Sequence, residues 1–93
     1  MKVEVLPNKF IEIDEDIVDF VKKQDQDYRV CTSCFGAELL PITMKSSKLS
    51  DIRAKIGNNI LYISRVQASY ITKVDKSMLR RYDFAEIEKC FLE

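Results

Sequence analysis

Two thiols lie three positions apart in the stretch VCTSCFG, residues 30–36, which contains Cys31 and Cys34. The chain has one further cysteine, Cys90, and no histidine. A Cys-x-x-Cys turn can direct two sulfurs at one ion, and zinc and iron–sulfur clusters both take thiolate ligands. One interpretation is therefore a zinc or iron–sulfur site at Cys31, Cys34 and Cys90, completed by a carboxylate or a second subunit.

The same thiols have two other interpretations. Redox exchange between Cys31 and Cys34 is one, although Gly36 and Pro41 argue against the long following helix typical of thiol oxidoreductases. The other is that the cysteines are small buried side chains, because free cysteine is among the most buried residue types. The residues alone leave all three open.

The chain contains few residues that could support other kinds of catalysis. Without histidine there is no imidazole base for a serine or cysteine nucleophile. The two glycines, Gly36 and Gly57, lie too far apart for a glycine-rich phosphate loop. These absences favour a non-catalytic binding or accessory protein, acting through protein–protein interaction, over an enzyme.

Charge is segregated along a chain whose formal net charge is zero. Residues 45–81 carry nine basic and two acidic side chains, whereas residues 1–44 carry five basic and nine acidic ones. A basic segment can bind an acidic protein or nucleic acid, or folding can neutralise it against the acidic segment. The neutral total makes nucleic acid the less favoured partner. Candidate interaction residues are Arg53, Lys55, Arg65, Gln67, Lys73, Arg80 and Arg81.

Two periodicities predict the elements that would position these residues. Residues 2–13 alternate apolar and polar on both sides of Pro7 and Asn8, which predicts a β-hairpin. From Asp14 the apolar residues recur at helical spacing behind a capping aspartate. This change of period predicts a helix over 14–24.

The middle of the chain predicts further strands. We expect extended segments at 28–31 and 37–44 around the Cys-x-x-Cys turn, with Pro41 at a sheet edge or bulge. A second hairpin is predicted over 52–64, because its centre is rich in residues that tolerate positive φ. Its last strand is expected to continue through 65–74, which would place Arg65 and Gln67 on one sheet face.

The end of the chain predicts helical structure. Asp75 caps an amphipathic turn, and Asp83 with Glu86 resembles a capping box that opens a C-terminal helix. We detect no internal repeat. The predicted fold is a single α+β domain over residues 1–93, with an antiparallel sheet of four to five strands packed against an N-terminal and a C-terminal helix.

No apolar stretch approaches the ~20 residues that cross a bilayer, and the first 20 residues are too acidic for a signal peptide. An odd number of cysteines also argues against a secreted disulfide framework. We therefore expect a cytoplasmic protein with reduced thiols and no membrane association. Self-association through an open sheet edge is a further expectation.

Two runs of this sequence, CTSCFGAELLP at 31–41 and ILYISRVQASYI at 60–71, resemble small proteins of euryarchaea, methanogens in particular. No activity is established for those proteins, so the resemblance implies no site residue. It does imply a strictly anaerobic cell. Thiols in such a cell would stay reduced or bind metal, which favours a metal site over a disulfide.

Overall fold

The structure is a computed structural model that describes residues 1–33 and 36–79. Cys34, Cys90, Arg80, Arg81 and the predicted C-terminal helix therefore lie outside the described residues. Within them the chain forms seven strands, two α-helices and a short 3₁₀ turn, which confirms the α+β class.

The N-terminal hairpin and the helix after it form at their predicted positions, but the predicted capping role of Asp14 is wrong, because its side chain makes no capping hydrogen bond and pairs with Lys73 instead. Strands β1 (Lys2–Leu6) and β2 (Lys9–Ile13) pair antiparallel. Asn8 makes the turn possible, because asparagine tolerates its positive φ of 65°. Helix α1 (Glu15–Lys23) follows and buries its apolar stripe, while acidic residues occupy its first turn.

The middle strands also form close to their predicted positions. Strands β3 (Tyr28–Ser33) and β4 (Gly36–Pro41) pair antiparallel, and Pro41 ends an edge strand, where its missing N–H costs no sheet bond. Strands β5 (Ile52–Ile56) and β6 (Asn59–Ile63) form the second hairpin.

The predicted continuation of the last strand through 65–74 is wrong. The chain instead forms helix α2 (Arg65–Tyr70) and then the two-residue strand β7 (Lys73–Val74). The helix begins there because the Ser64 hydroxyl accepts a hydrogen bond from the backbone N–H of Gln67, at 3.1 Å. Asp75 caps the 3₁₀ turn Lys76–Met78 as predicted.

The strands form two sheets, so the expectation of one antiparallel sheet is wrong. One sheet has the order β1-β2-β7 and the other β4-β3-β6-β5. Each contains a parallel pair, β2 with β7 and β3 with β6, because the strand after each helix crosses to the other hairpin. Both sheets contribute to a shared apolar core with α1.

The two hairpins belong to a repeated ββα unit, contrary to the sequence-based expectation. Each strand and helix of the second unit begins fifty positions after its counterpart in the first: β5 after β1, β6 after β2, and α2 after α1. The strands that cross between the units, β7 and β3, also make equivalent hydrogen bonds. The Asp14 N–H donates to the Val74 carbonyl, and the Ser64 N–H donates to the Val30 carbonyl, both at 3.0 Å.

Neither described helix is long and apolar enough to span a membrane. The longer, α1, has nine residues, whereas a span needs roughly 20.

Candidate functional site

The β4-β3-β6-β5 sheet has one face toward the main core and a second face that carries charge. Val30, Leu61 and Ala54 lie on the core face. On the other, here called the outer face, Arg29 and Arg53 flank Tyr62 from the two neighbouring strands. The Arg53 guanidinium lies 5.8 Å from the centre of the Tyr62 ring, within cation–π distance.

A buried ion pair lies on this outer face. The Nε of Arg29 donates to Oδ2 of Asp51 at 2.7 Å, and its Nη2 donates to Oδ1 at 3.1 Å. Both side chains are about 1% exposed. The backbone N–H of Lys48 also donates to Asp51, at 3.0 Å. The pair fixes the loop before β5 to β3.

Burial has the largest single effect on the pKa of Asp51, but hydrogen bonds and nearby positive charges together outweigh it. Burial alone would raise the pKa, because it disfavours the charged form. The hydrogen bonds from Arg29 and the Lys48 backbone, together with the positive charges of both residues, hold the pKa below its ordinary value. Asp51 is therefore ionised at neutral pH.

A small open cleft of about 80 Å³ borders this ion pair. Its far wall is the start of α2, which is held against the loop by a hydrogen bond from Nε of Arg65 to the Ser50 carbonyl, at 2.6 Å. This basic cleft is lined by Arg29, Lys48, Ser50, Asp51, Ser64, Arg65 and Val66.

The charges of the basic cleft do not cancel. Asp51 is the one carboxylate among the described lining residues, and Arg29 and a backbone amide already bind it. Lys48 and Arg65 form no ion pair with any described carboxylate, and both are exposed. The described lining therefore carries three cations against one carboxylate, and this surplus of positive charge attracts an anionic group.

Large exposed apolar side chains lie beside the cleft. Val66 and Tyr70 are four residues apart on α2, so they share one helix face, and they are 49% and 79% exposed. Leu49 is 94% exposed and directly precedes Ser50 of the cleft lining. We call Leu49, Val66 and Tyr70 the apolar rim.

The structure separates the predicted interaction residues. Arg53 and Lys55 are exposed on the edge strand β5, in the same sheet as the cleft, and Arg65 lies at the cleft itself. Lys73 lies in the other sheet, where its ammonium pairs with the Asp14 carboxylate at 3.2 Å. Arg80 and Arg81 lie outside the described residues.

Gln67 has a structural position, which corrects its assignment to an exposed sheet face. It is buried on α2, and its side-chain amide donates to the Thr32 hydroxyl at 2.7 Å. It thereby joins α2 to β3. Residues 65–70 are helical, so Arg65 and Gln67 do not share a face as they would in a strand.

Of the three candidate metal ligands, the structure describes Cys31. It is fully buried on β3 opposite Glu38, and it packs with Leu40 and Met44 in a small second apolar cluster. This position fits the interpretation of Cys31 as a buried core residue. In the described ranges no three potential ligands of the His, Cys, Asp or Glu type come close enough to hold a metal ion. The site at Cys31, Cys34 and Cys90 stays a prediction.

Sequence reasoning missed most of the cleft. Arg29 lies in a strand-like run, and Asp51 follows it by 22 residues with no spacing signal to link them. A charged residue inside an apolar strand, such as Arg29 between Tyr28 and Val30, was the available signal, because a buried arginine requires an acidic partner.

The function of this cleft has to be argued from its own side chains, because a fold does not by itself determine an activity. Comparison of the chain with protein-family models, with curated proteins and with solved structures found no match.

Proposed function

We propose that this protein is a non-catalytic, cytoplasmic binding protein that engages a partner protein through the basic cleft and the apolar rim. The observation that carries the proposal is the exposure of Val66 and Tyr70 on one helix face, beside the cleft. Contiguous exposed apolar side chains next to polar groups mark interaction sites, and aromatic residues contribute strongly to binding.

Charge complementarity defines the partner. Lys48 and Arg65 attract an anionic group to the cleft, while Leu49, Val66 and Tyr70 supply apolar contact next to it. A partner segment that places an acidic residue beside apolar ones satisfies both features at once. Nucleic acid would require a longer row of free cations. Lys73, one of the predicted basic residues, is already paired with Asp14.

Two other functions remain separate proposals. A zinc, iron–sulfur or redox role for Cys31, Cys34 and Cys90 is tested by metal analysis and thiol titration of protein purified without chelator. Self-association through a sheet edge is tested by size-exclusion chromatography with light scattering. Tightly bound stoichiometric metal would favour the first, and a concentration-dependent mass the second.

The principal experiment selects peptides from a random displayed library and titrates a selected peptide into ¹⁵N-labelled protein. We expect selected peptides to combine acidic and apolar residues, and to shift the amide signals of α2 and of residues 48–51. The double variant Val66→Ser/Tyr70→Ser should weaken binding about tenfold or more, since losing two apolar anchors removes at least 1.4 kcal/mol.

Phe10→Ser is the matched control. Phe10 is 48% exposed on β2, in the other sheet, so the change removes an exposed apolar side chain away from the cleft. Binding should be retained in this variant. Equal loss in both variants, or signal shifts confined to residues away from α2, would contradict the proposal.

A further inference from the structure

We propose that the basic cleft is a subsite for a doubly charged, phosphate-sized oxyanion, presented as a phosphorylated side chain of the partner segment. The inference rests on the proposed function, because it names the group of that partner which enters the cleft. Its basis is the charge, the donors and the size of the cleft.

The charge of the lining favours a dianion. The Arg29 charge is balanced by Asp51 through two direct hydrogen bonds. The two exposed cations, Lys48 and Arg65, form no ion pair with a described carboxylate, so they leave the described lining with a surplus of two positive charges. A phosphoryl group carries a charge of about −1.5 to −2 at neutral pH, which matches these two cations, whereas a carboxylate carries one.

Suitable hydrogen-bond donors surround the cleft. Arg65 uses its Nε for the Ser50 carbonyl, which fixes the guanidinium and leaves its two terminal amino groups as donors. Ser64 accepts a hydrogen bond from the Gln67 N–H, so its hydroxyl proton remains available to donate. Lys48 adds an ammonium group. Arginine with lysine and hydroxyl donors is a common set for phosphate recognition.

Size and surroundings indicate a side chain rather than a larger ligand. The cleft of about 80 Å³ holds one small group, well below the ~300 Å³ at which pockets for whole small-molecule ligands begin. The apolar rim lies beside it, where residues flanking a phosphorylated side chain would lie. A peptide therefore uses both features, and free phosphate uses the cleft alone.

The test compares four probes by NMR titration at constant ionic strength: inorganic phosphate, acetate, a phosphoserine peptide with flanking leucine and phenylalanine, and its unphosphorylated form. We expect phosphate to shift the signals of residues 48–51 and 64–66, and acetate to bind more weakly. The phosphopeptide should bind more tightly than phosphate, and it should also shift Tyr70.

Variants locate the effect. Lys48→Gln should weaken phosphate binding about tenfold, because a charge-assisted hydrogen bond contributes at least 1.4 kcal/mol. Lys76→Gln is the matched control, since Lys76 is exposed and lies outside the cleft lining. It should bind phosphate as the parent protein does.

Each remaining outcome contradicts a defined part of the inference. Equal binding of phosphate and acetate would overturn the preference for a dianion. Equal affinity for phosphate and phosphopeptide would overturn the assignment to a partner side chain. If neither phosphate nor phosphopeptide binds while selected unphosphorylated peptides still bind α2, the subsite is wrong and the proposed function stands. If no peptide of either kind binds, both fail.

Discussion

Arg29 and Asp51 form a two-point ion pair beneath the basic cleft, with both side chains almost fully buried. The basic residue at the equivalent position of the other ββα unit is exposed and has a partner at a different position. There Lys73, which occupies the place of Arg29 beside β2, pairs with Asp14 while 54% of its side chain stays accessible. The equivalent strand position therefore holds a basic residue of a buried ion pair in one unit and of a surface ion pair in the other, with acidic partners from non-equivalent positions.

Asp51→Asn should reduce the free energy of unfolding by about 3 kcal/mol at neutral pH, because breaking a buried pair leaves the arginine charge without its counter-ion. Urea denaturation followed by circular dichroism measures the change. The exposed Asp19 on α1 provides the control, and Asp19→Asn should stay within about 0.5 kcal/mol of the parent. Equal stability of the two variants would show that the buried pair contributes nothing.

The same pair makes stability depend on acid pH. The folded-state pKa of Asp51 lies below the ordinary value of 3.8, so its contribution to stability is present above that value. It is lost as pH falls through the lower folded-state pKa, where folded Asp51 takes up a proton. Thermal unfolding from pH 7 to pH 2 should therefore show a steeper acid loss for the parent than for Asp51→Asn. Parallel curves would contradict the shift.

Asn59 joins the second hairpin to the end of α1. Its buried side-chain amide donates to the carbonyl oxygens of Val21 at 2.8 Å and Gln24 at 2.7 Å, at the end of the helix. The Val21 oxygen also accepts the backbone N–H of Gln24, at 3.1 Å, so Asn59 gives it a second hydrogen bond. Asn59→Ala should lower the free energy of unfolding by about 1–3 kcal/mol. The exposed neighbour supplies the control, and Asn58→Ala should have a small effect in the same urea experiment.

Substitutions of Gly57 test whether the second hairpin turn requires a residue that tolerates positive φ. Its φ of 60° favours glycine, and an added Cβ would lie 3.0 Å from the Cγ of Lys22, a flexible side chain that can move. Gly57→Ala should cost about 1–2 kcal/mol, whereas Gly57→Asn should cost less because asparagine tolerates this conformation. Both variants add the same Cβ, so equal losses in thermal unfolding would assign the effect to the Lys22 contact instead.

The local elements could be predicted from the sequence because each has a local cause. The alternation around Asn8 and Gly57 predicts two hairpins, and the period change at Asp14 predicts α1. Strand partners have no such local signal. Nothing near Val30 or Val74 indicates that each crosses to the other hairpin, since pairing depends on contacts more than 30 residues apart.

The repeat and the second helix escaped prediction for related reasons. The strands of the two units share just Asn8 with Asn58 in the turn and Ile13 with Ile63, so the equal spacing becomes visible once the elements are known. The run from Arg65 alternates polar and apolar side chains, as a half-buried strand does. The Ser64 hydroxyl caps the first turn and thereby favours a helix. A helix of six residues is too short for a helical periodicity to be recognised in the sequence.

The candidate site was predictable in part. Of the predicted interaction residues Arg65 and Gln67, one lies at the cleft and the other has a structural role. Both were expected to bind a partner, yet Gln67 is buried against Thr32 and Arg65 lies exposed at the cleft. Gln67→Ala should lower the free energy of unfolding by about 1 kcal/mol, because it removes a buried hydrogen bond. Below its unfolding temperature, this variant should bind a selected peptide with unchanged affinity.

Arg65→Gln should show the reverse pattern. Loss of its charge removes one of the two surplus positive charges of the cleft, so peptide affinity should fall about tenfold, as expected for a charge-assisted hydrogen bond. Stability should change by less than about 1 kcal/mol, because the side chain is exposed. Calorimetric titration and urea denaturation of both variants measure the two quantities. An affinity loss in Gln67→Ala equal to that in Arg65→Gln would place Gln67 in the contact surface and contradict its structural assignment.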